Sequence, residues 1–377
     1  MSQVSVVRAR KLWHAWVTPG TAPRAMPVPE LVTIYRLWLA ALLLKMLGAG
    51  WDVSWHFRWL RDDLAPPHLL NSAGTAMAVA LVAFHSYTGY GVDRRALHLM
   101  QVGMGVFLVA IPLDLINHRI NGLDITTWSA THGLLYLGTA VMMTGVIRGW
   151  ALYGPPGRAR WLTLGTLWVF FLENVMFVAG QQEYGVVAVM AWDAGRPEAE
   201  PSLLQFAANQ IGRPVDRVAV VHFALPVPAW VYLAWIVAAA MLVLVLARWM
   251  IGRRWAATAV TATYLAYRAV MWVLLVGTGF PRSAVPFLLL GGALAVDLMM
   301  SRPRFSARLS WVARPLIGAM LVAAAICGAA WLQDVLLIAP PLDYRSVAGA
   351  AGGLAAVWLG LAYLVRTPAF SRWAKER

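Results

Sequence analysis

Four histidines and two aspartates recur in an arrangement suited to holding metal ions. The first copy reads Asp52-Val53-Ser54-Trp55-His56, then Arg61-Asp62, then Pro66-Pro67-His68. The second reads Asp114-Leu115-Ile116-Asn117-His118, then Asp124, then Thr131-His132. In each copy another aspartate stands ten residues after the first, Asp62 and Asp124, and a Gly-Thr-Ala triplet begins six residues after the last histidine, at Gly74 and Gly138. This is an internal duplication of a helix–loop–helix unit. Residues i and i+4 share a helix face, so Asp52/His56 and Asp114/His118 each present two ligands at the end of a helix. The chain then turns back and brings His68 or His132 in at the start of the next helix, where Pro66 and Pro67 cost little because first-turn N–H groups have no helical partner. Each hairpin can thus close two imidazoles and one carboxylate around one ion. A lone Asp-x3-His pair is most often an interfacial hydrogen-bonding pair. Two duplicated triads are another matter, because ionisable residues at membrane depth are costly and tend to be functional.

The only cysteine, Cys327, lies in an apolar stretch, which excludes a disulfide framework and thiolate metal sites. The donors are therefore nitrogen and oxygen. Two histidines and a carboxylate form the facial triad of non-haem Fe(II), and His/Asp sets also suit Zn, Mn and Cu. A bis-histidine haem leaves the paired aspartates without a role.

The elements that must position these residues are membrane helices. Hydrophobic residues make up 60% of the 377 and charged residues 13%, and the mean hydropathy is +0.64. A soluble domain of this size needs more charge to cover its surface. Apolar runs of about 20 residues cross a bilayer as helices, which satisfy their own backbone hydrogen bonds. The expected fold is an all-α polytopic membrane protein of about ten spans with a duplicated metal-binding hairpin. The spans run Leu31–Gly50, His68–Tyr87, Leu97–His118, His132–Gly149, Trp161–Glu183, Ala219–Leu246, Ala256–Gly277, Ala284–Met300, Pro315–Leu332 and Val347–Val365. Three parts follow: a basic, interfacial N-terminus at 1–30 with Trp13 and Trp16, the four-helix metal-binding unit at 31–150, and further spans at 151–377 with a polar outer loop at 184–218.

The formal net charge of +14 reads as arginine-rich cytoplasmic loops, not as a nucleic-acid surface. Arg94/Arg95, Arg148/Arg158/Arg160, Arg248/Arg253/Arg254 and Arg302/Arg304/Arg308 follow alternate spans, and both termini are basic. By the positive-inside rule the termini are cytoplasmic and the triads lie near the outer face, in what we expect to be a bacterial cytoplasmic membrane. No signal peptide is expected, because the first apolar run starts late and carries part of the motif at its far end.

At this point the sequence resembles the C subunit of the copper membrane monooxygenases, which include particulate methane and ammonia monooxygenases. The resemblance rests on Asp52, Ser54, Trp55, His56, Arg61, Asp62, Pro66 and His68, and on the spacing of Asp114, His118 and His132, over roughly Leu31–Gly149. It implies two neighbouring copper positions, about two ions per chain, in a subunit that hosts or adjoins oxygen activation. Asp114 stands where the family has Asn, the first segment is one residue shorter before His68, and no cupredoxin-like region follows. The expected function is a copper-dependent membrane oxygenase, oxidising a small apolar substrate with O2 and an external reductant, with partner subunits an open matter. The alternatives are a non-catalytic copper-binding membrane protein and a non-haem iron oxygenase on the same triads.

Around the ligands, Trp55, Arg61, Asp62, Asp124 and Trp128 are expected to orient or wall the site. Glu173 and Arg268, both mid-span, are expected to form an ion pair, the sharper alternative being Glu173 as a proton carrier beside the metal. Glu183 and His222 flank the outer loop and are candidates to cover the site. His85 and His98 are read as packing or interfacial residues, and Asp297 as the partner of a nearby arginine.

Overall fold

The computed structural model describes residues 18–60, 64–121, 126–301 and 310–367. Arg61, Asp62, Asp124, Trp13 and Trp16 fall outside them. Twelve α-helices are found among the described residues and no β-strand. They are α1 Val28–His56, α2 Pro66–Thr88, α3 Arg94–Asn121, α4 Ala130–Tyr153, α5 Arg158–Asp193, α6 Pro201–Gln210, α7 Arg217–Ala224, α8 Trp230–Ile251, α9 Ala256–Gly277, α10 Leu289–Met300, α11 Ala313–Leu336 and α12 Val347–Leu364. Nine are long and apolar enough to cross a membrane, and their outward faces carry residues such as Val102, Val109, Val273 and Met320 exposed. The chain is an integral, all-α membrane protein.

The eighth expected span, Ala284–Met300, differs. From Pro281 to Leu288 the chain is not helical, and only Leu289–Met300 forms a helix, about 18 Å long. Pro281 and Pro286 lack the N–H that a helix needs. Non-helical backbone is tolerated at membrane depth only when protein satisfies it, and here it is satisfied: Ala284 N–H donates to the Glu183 carbonyl at 3.0 Å and Leu288 N–H to Gln333 Oε1 at 3.0 Å. Gln333 Nε2 and Trp272 Nε1 donate to the carbonyls of Val285 and Ser283 at 2.8 and 3.0 Å.

The expected loop at 184–218 is a folded cap. α5 continues ten residues past Glu183 and is followed by α6 and α7. Pro226 and Pro228 interrupt the expected sixth span, so α7 belongs to the cap and the crossing begins at Trp230. Tyr184, Leu203, Leu204, Val220 and Phe223 pack on Val53 of α1 and on Phe57, which follows it, as a second apolar core. A loop rich in charge conceals this core because Asp193, Arg213, Asp216 and Arg217 pair with one another on its outside: Arg217–Asp193 at 2.7 Å and Arg213–Asp216 at 2.8 Å. Asp216 also caps α7 through the Ala219 N–H, and these contacts hold its carboxyl below the usual range.

The duplication is visible in packing. A Cβ on Gly74 would lie 2.6 Å from the Ala41 carbonyl oxygen and 2.9 Å from the Lys45 nitrogen, and one on Gly138 would lie 2.8 Å from the Gly103 carbonyl oxygen and 2.6 Å from the Phe107 nitrogen. Ala41/Gly103 and Lys45/Phe107 are equivalent positions of the two copies, so the same glycine brings both hairpins together. Gly138→Val should therefore cost about 3 kcal/mol or more, since backbone is what the new carbon meets. Thermal unfolding in detergent measures it, and an unchanged midpoint would contradict this packing.

At the opposite end from the triads, charges lock the helices. Asp297 caps α9 through the N–H groups of Ala257 and Thr258 and pairs with Arg248 at 3.0 Å, as expected from its position. Asp93, between α2 and α3, receives the fork of Arg148 at 2.6 Å. Burial raises the Asp93 carboxyl, but Arg148 and the Ala96 N–H outweigh that and hold it low. His85 is a packing residue, as expected: buried, it accepts from Trp38 Nε1 and bonds the Tyr90 carbonyl.

Candidate metal centre

Each hairpin brings its three candidate ligands together. In the first, Asp52 Oδ1 lies 2.8 Å from His68 Nε2 and 3.3 Å from His56 Nε2, and the two imidazole nitrogens are 3.2 Å apart. Ions that bind imidazole nitrogen and carboxylate oxygen at about 2.1 Å place neighbouring donors about 3.0 Å apart at right angles and about 3.4 Å apart in a tetrahedron. The first triad has those edges. Asp52 Oδ1 is itself buried and in hydrogen-bond geometry with no donor, so one corner of the triangle is a carboxylate oxygen suited to a cation. In the second, Asp114 Oδ1 lies 3.5 Å from His118 Nε2 and 3.6 Å from His132 Nε2, slightly wider than the tetrahedral edge. Both triads can hold a metal ion.

Local structure explains the aim of each ligand. α1 carries Asp52 and His56 in its last turns, and α2 starts at Pro66 with the two prolines in its first turn, which sets His68 at the same level. In the second copy Ser129 replaces the prolines as the device that starts the helix: its side chain caps α4 by accepting from the His132 N–H. His132 Nδ1 bonds the Thr126 carbonyl at 2.8 Å, which makes Nδ1 the protonated nitrogen and leaves the Nε2 lone pair for a metal. Thr131 Oγ1 donates to Asp114 Oδ1 at 2.7 Å, a support that Pro67 cannot give in the first copy. The second triad is also the more buried: its side chains are 7–17% exposed against 22–28% in the first.

The residues that hold the second triad in place include one that the sequence reading missed. Gln181 of α5 accepts from the Thr127 N–H at 2.7 Å and donates to the Phe223 carbonyl at 3.2 Å, so it fastens the Thr126–Ser129 turn to the cap. Asn174 Nδ2 donates to the Tyr136 carbonyl one turn beyond His132. No motif marks Gln181; its only signal is a pair of glutamines, Gln181-Gln182, inside an apolar helix.

Both triads border one cavity of about 910 Å³. Asp52, His56, His68, Asp114 and His132 line it, together with Leu42, Val79, Leu108, Phe170 and Phe177 from the helices and Leu203, Phe206 and Phe223 from the cap. Trp55 and Trp128 do not line it. Trp55 packs with Trp51, Trp59 and Phe280 beside the first triad, Trp59 being the member that reaches the cavity, and Trp128 packs edge-on against Trp235.

The expected Glu173–Arg268 pair is not formed. Arg268 donates to Glu183 Oε2 at 2.6 Å and to Tyr264 Oη at 3.0 Å, and Tyr232 Oη donates to Glu183 Oε1 at 2.9 Å. Glu183 is therefore a fully buried ion-pair partner and not a flank of an outer loop. Extension of α5 past Glu183 is the physical reason, since it moves that residue from a loop edge into the helix interior. Glu173 is left facing the cavity, buried, with Oε2 in no hydrogen bond. His222 is not part of the cavity wall.

Comparison with protein families, with curated proteins and with solved structures found no match in any of the three. The metal centre accordingly rests on its own residues.

Proposed function

We propose that this chain is a copper-dependent membrane oxygenase that uses O2 and an external reductant to oxidise a small lipophilic molecule. The observation that carries the reading is the shared cavity: two triads, each of two histidines and one carboxylate, border one largely apolar chamber roofed by an amphipathic cap. Asp52, His56 and His68 would hold one copper and Asp114, His118 and His132 the other. Copper, when bound, supplies the redox cycling that lets O2 react at one electron or two. The carboxylates offset the charge of the oxidised ion, and the imidazoles suit the reduced one. The Thr126 carbonyl fixes the His132 tautomer, and Thr131 keeps Asp114 aimed at the site. Leu203, Phe206 and Phe223 exclude water from the chamber. Glu173, with a free carboxyl oxygen in the cavity wall, is placed to carry the protons that reduction of oxygen to water consumes.

A copper-transport pathway would carry ligands at several depths. Here all six lie at one end of the helices, which favours chemistry over passage. Iron on the same triads is the reading that metal analysis would substitute, as the donor set suits it equally. We place the termini and arginine-rich loops in the cytoplasm and the triads at the outer face of a bacterial cytoplasmic membrane, on the distribution of arginine.

The test supplies 18O2, copper and reductant to membranes containing the chain, with candidate partner subunits co-expressed. Label is expected in an oxidised lipophilic product, and it should vanish in His68→Ala or His132→Ala protein that remains folded. Right-side-out vesicles with a membrane-impermeant reductant should support the reaction, which tests the orientation. Folded, copper-loaded protein that consumes no oxygen would favour a copper-binding role instead.

A further inference from the structure

The two copies of the hairpin agree in their ligands and in the glycines that pack them, so positions where they disagree are informative. Lys45 and Asn71 of the first copy correspond to Phe107 and Leu135 of the second. Lys45 lies two turns below Asp52 on α1, about 10.5 Å deeper along the helix, and lines the same cavity as both triads. Its Nζ donates to Asn71 Oδ1 at 3.0 Å and to Thr75 Oγ1 at 2.9 Å, and it lies 4.1 Å from the centre of the Phe107 ring. Asn71, Thr75 and Phe107 also line the cavity. Among the described residues no carboxylate forms an ion pair with Lys45.

An ammonium at this depth is costly without an anionic partner, and hydroxyl, amide and ring contacts supply only part of what a carboxylate would. Two other cations inside the bundle, Arg248 and Arg268, each have one. The chamber is also far larger than a gas-sized molecule requires and is in the range that encloses drug-sized ligands. We propose that the cavity binds a single-chain amphiphile of the fatty-carboxylate class. Its head group pairs with Lys45 beside Asn71 and Thr75, and its chain runs toward the triads between Leu42, Val79, Leu108 and Phe170. Only in calling this ligand the substrate does the inference rest on the oxygenase reading; there, anchoring by the head would select which carbon of the chain meets the triads.

The experiment measures binding to metal-free protein in nanodiscs, so it does not depend on any oxidation. Decanoate, decanol and decyl phosphate are titrated separately, with [1-13C]decanoate reporting the ionisation of the bound head group. Decanoate is expected to bind in the ionised form and at least tenfold more tightly than decanol. Lys45→Gln should abolish that preference and Lys45→Arg should retain most of it. Equal affinity for decanoate and decanol, a bound head group that is neutral, or an undiminished preference in Lys45→Gln would overturn the proposal. Binding of decyl phosphate without decanoate would overturn the carboxylate assignment. Should Lys45→Gln fail to fold, the ionisation state in the unaltered protein decides. Failure here leaves the 18O2 result standing, and failure there leaves this one.

Discussion

Arg268→Met is expected to destabilise the protein by about 3–5 kcal/mol, because it leaves a buried carboxylate without its cation. Glu183 is fully buried, and its two oxygens are taken by Arg268 at 2.6 Å and by Tyr232 at 2.9 Å. Removing the guanidinium leaves one neutral donor against a full charge. Glu183→Gln strands the arginine instead and should cost a similar amount. The double variant Arg268→Met/Glu183→Gln removes both charges and should recover much of the loss, since a buried pair replaced by neutral groups is often close to isoenergetic. The same pair also matters to the fold around it: the Glu183 carbonyl receives the Ala284 N–H, so the broken segment before α10 is fastened at the same residue. Thermal unfolding of the four proteins in one detergent gives the coupling energy. Additive losses would show that the two residues do not act as a pair, and a matching cycle on Glu173 and Arg268 should show a much weaker coupling.

That pair also marks where sequence reasoning ended. Periodicity and apolar length were enough for the nine long spans, because a bilayer imposes one length and one backbone solution on every crossing. The triads were legible for a similar reason: their ligands are close in sequence within each hairpin, and two copies made the spacing a pattern. Three features were not. The cap from Tyr184 to Ala224 carries its charges on one side and its apolar residues on the other, and on counting it reads as a loop. The short α10 looks like a full span because the extended Pro281–Leu288 segment is itself largely apolar, and its hydrogen bonds to Glu183 and Gln333 reach residues remote in sequence. Arg268 had two carboxylates within reach on α5, and the choice of Glu183 over Glu173 depends on how α5 and α9 are rotated against each other, which no local pattern encodes. Lys45 and Gln181 were passed over because neither belongs to the repeated motif; Lys45 stands out only once the two copies are superposed.

The most direct test of two metal triads is the metal content of purified protein and its ligand variants, measured by elemental analysis after copper loading and removal of free ions. Metal must displace protons and be held by all three donors of a site, so loss of one imidazole should reduce affinity enough to empty it. The protein is expected to hold about two copper ions per chain, His56→Ala and His118→Ala about one each, and the double variant none. Of the two, the His118→Ala protein should lose its ion from the more buried site, supported by Thr131 and the Thr126 carbonyl. Each variant should elute as the unaltered protein does on size exclusion, since neither histidine is part of the core that packs the hairpins. Two ions per chain that fall to one with each single substitution and to none with both would establish the triads as the binding sites. A double variant that keeps the full load in folded form would contradict the account.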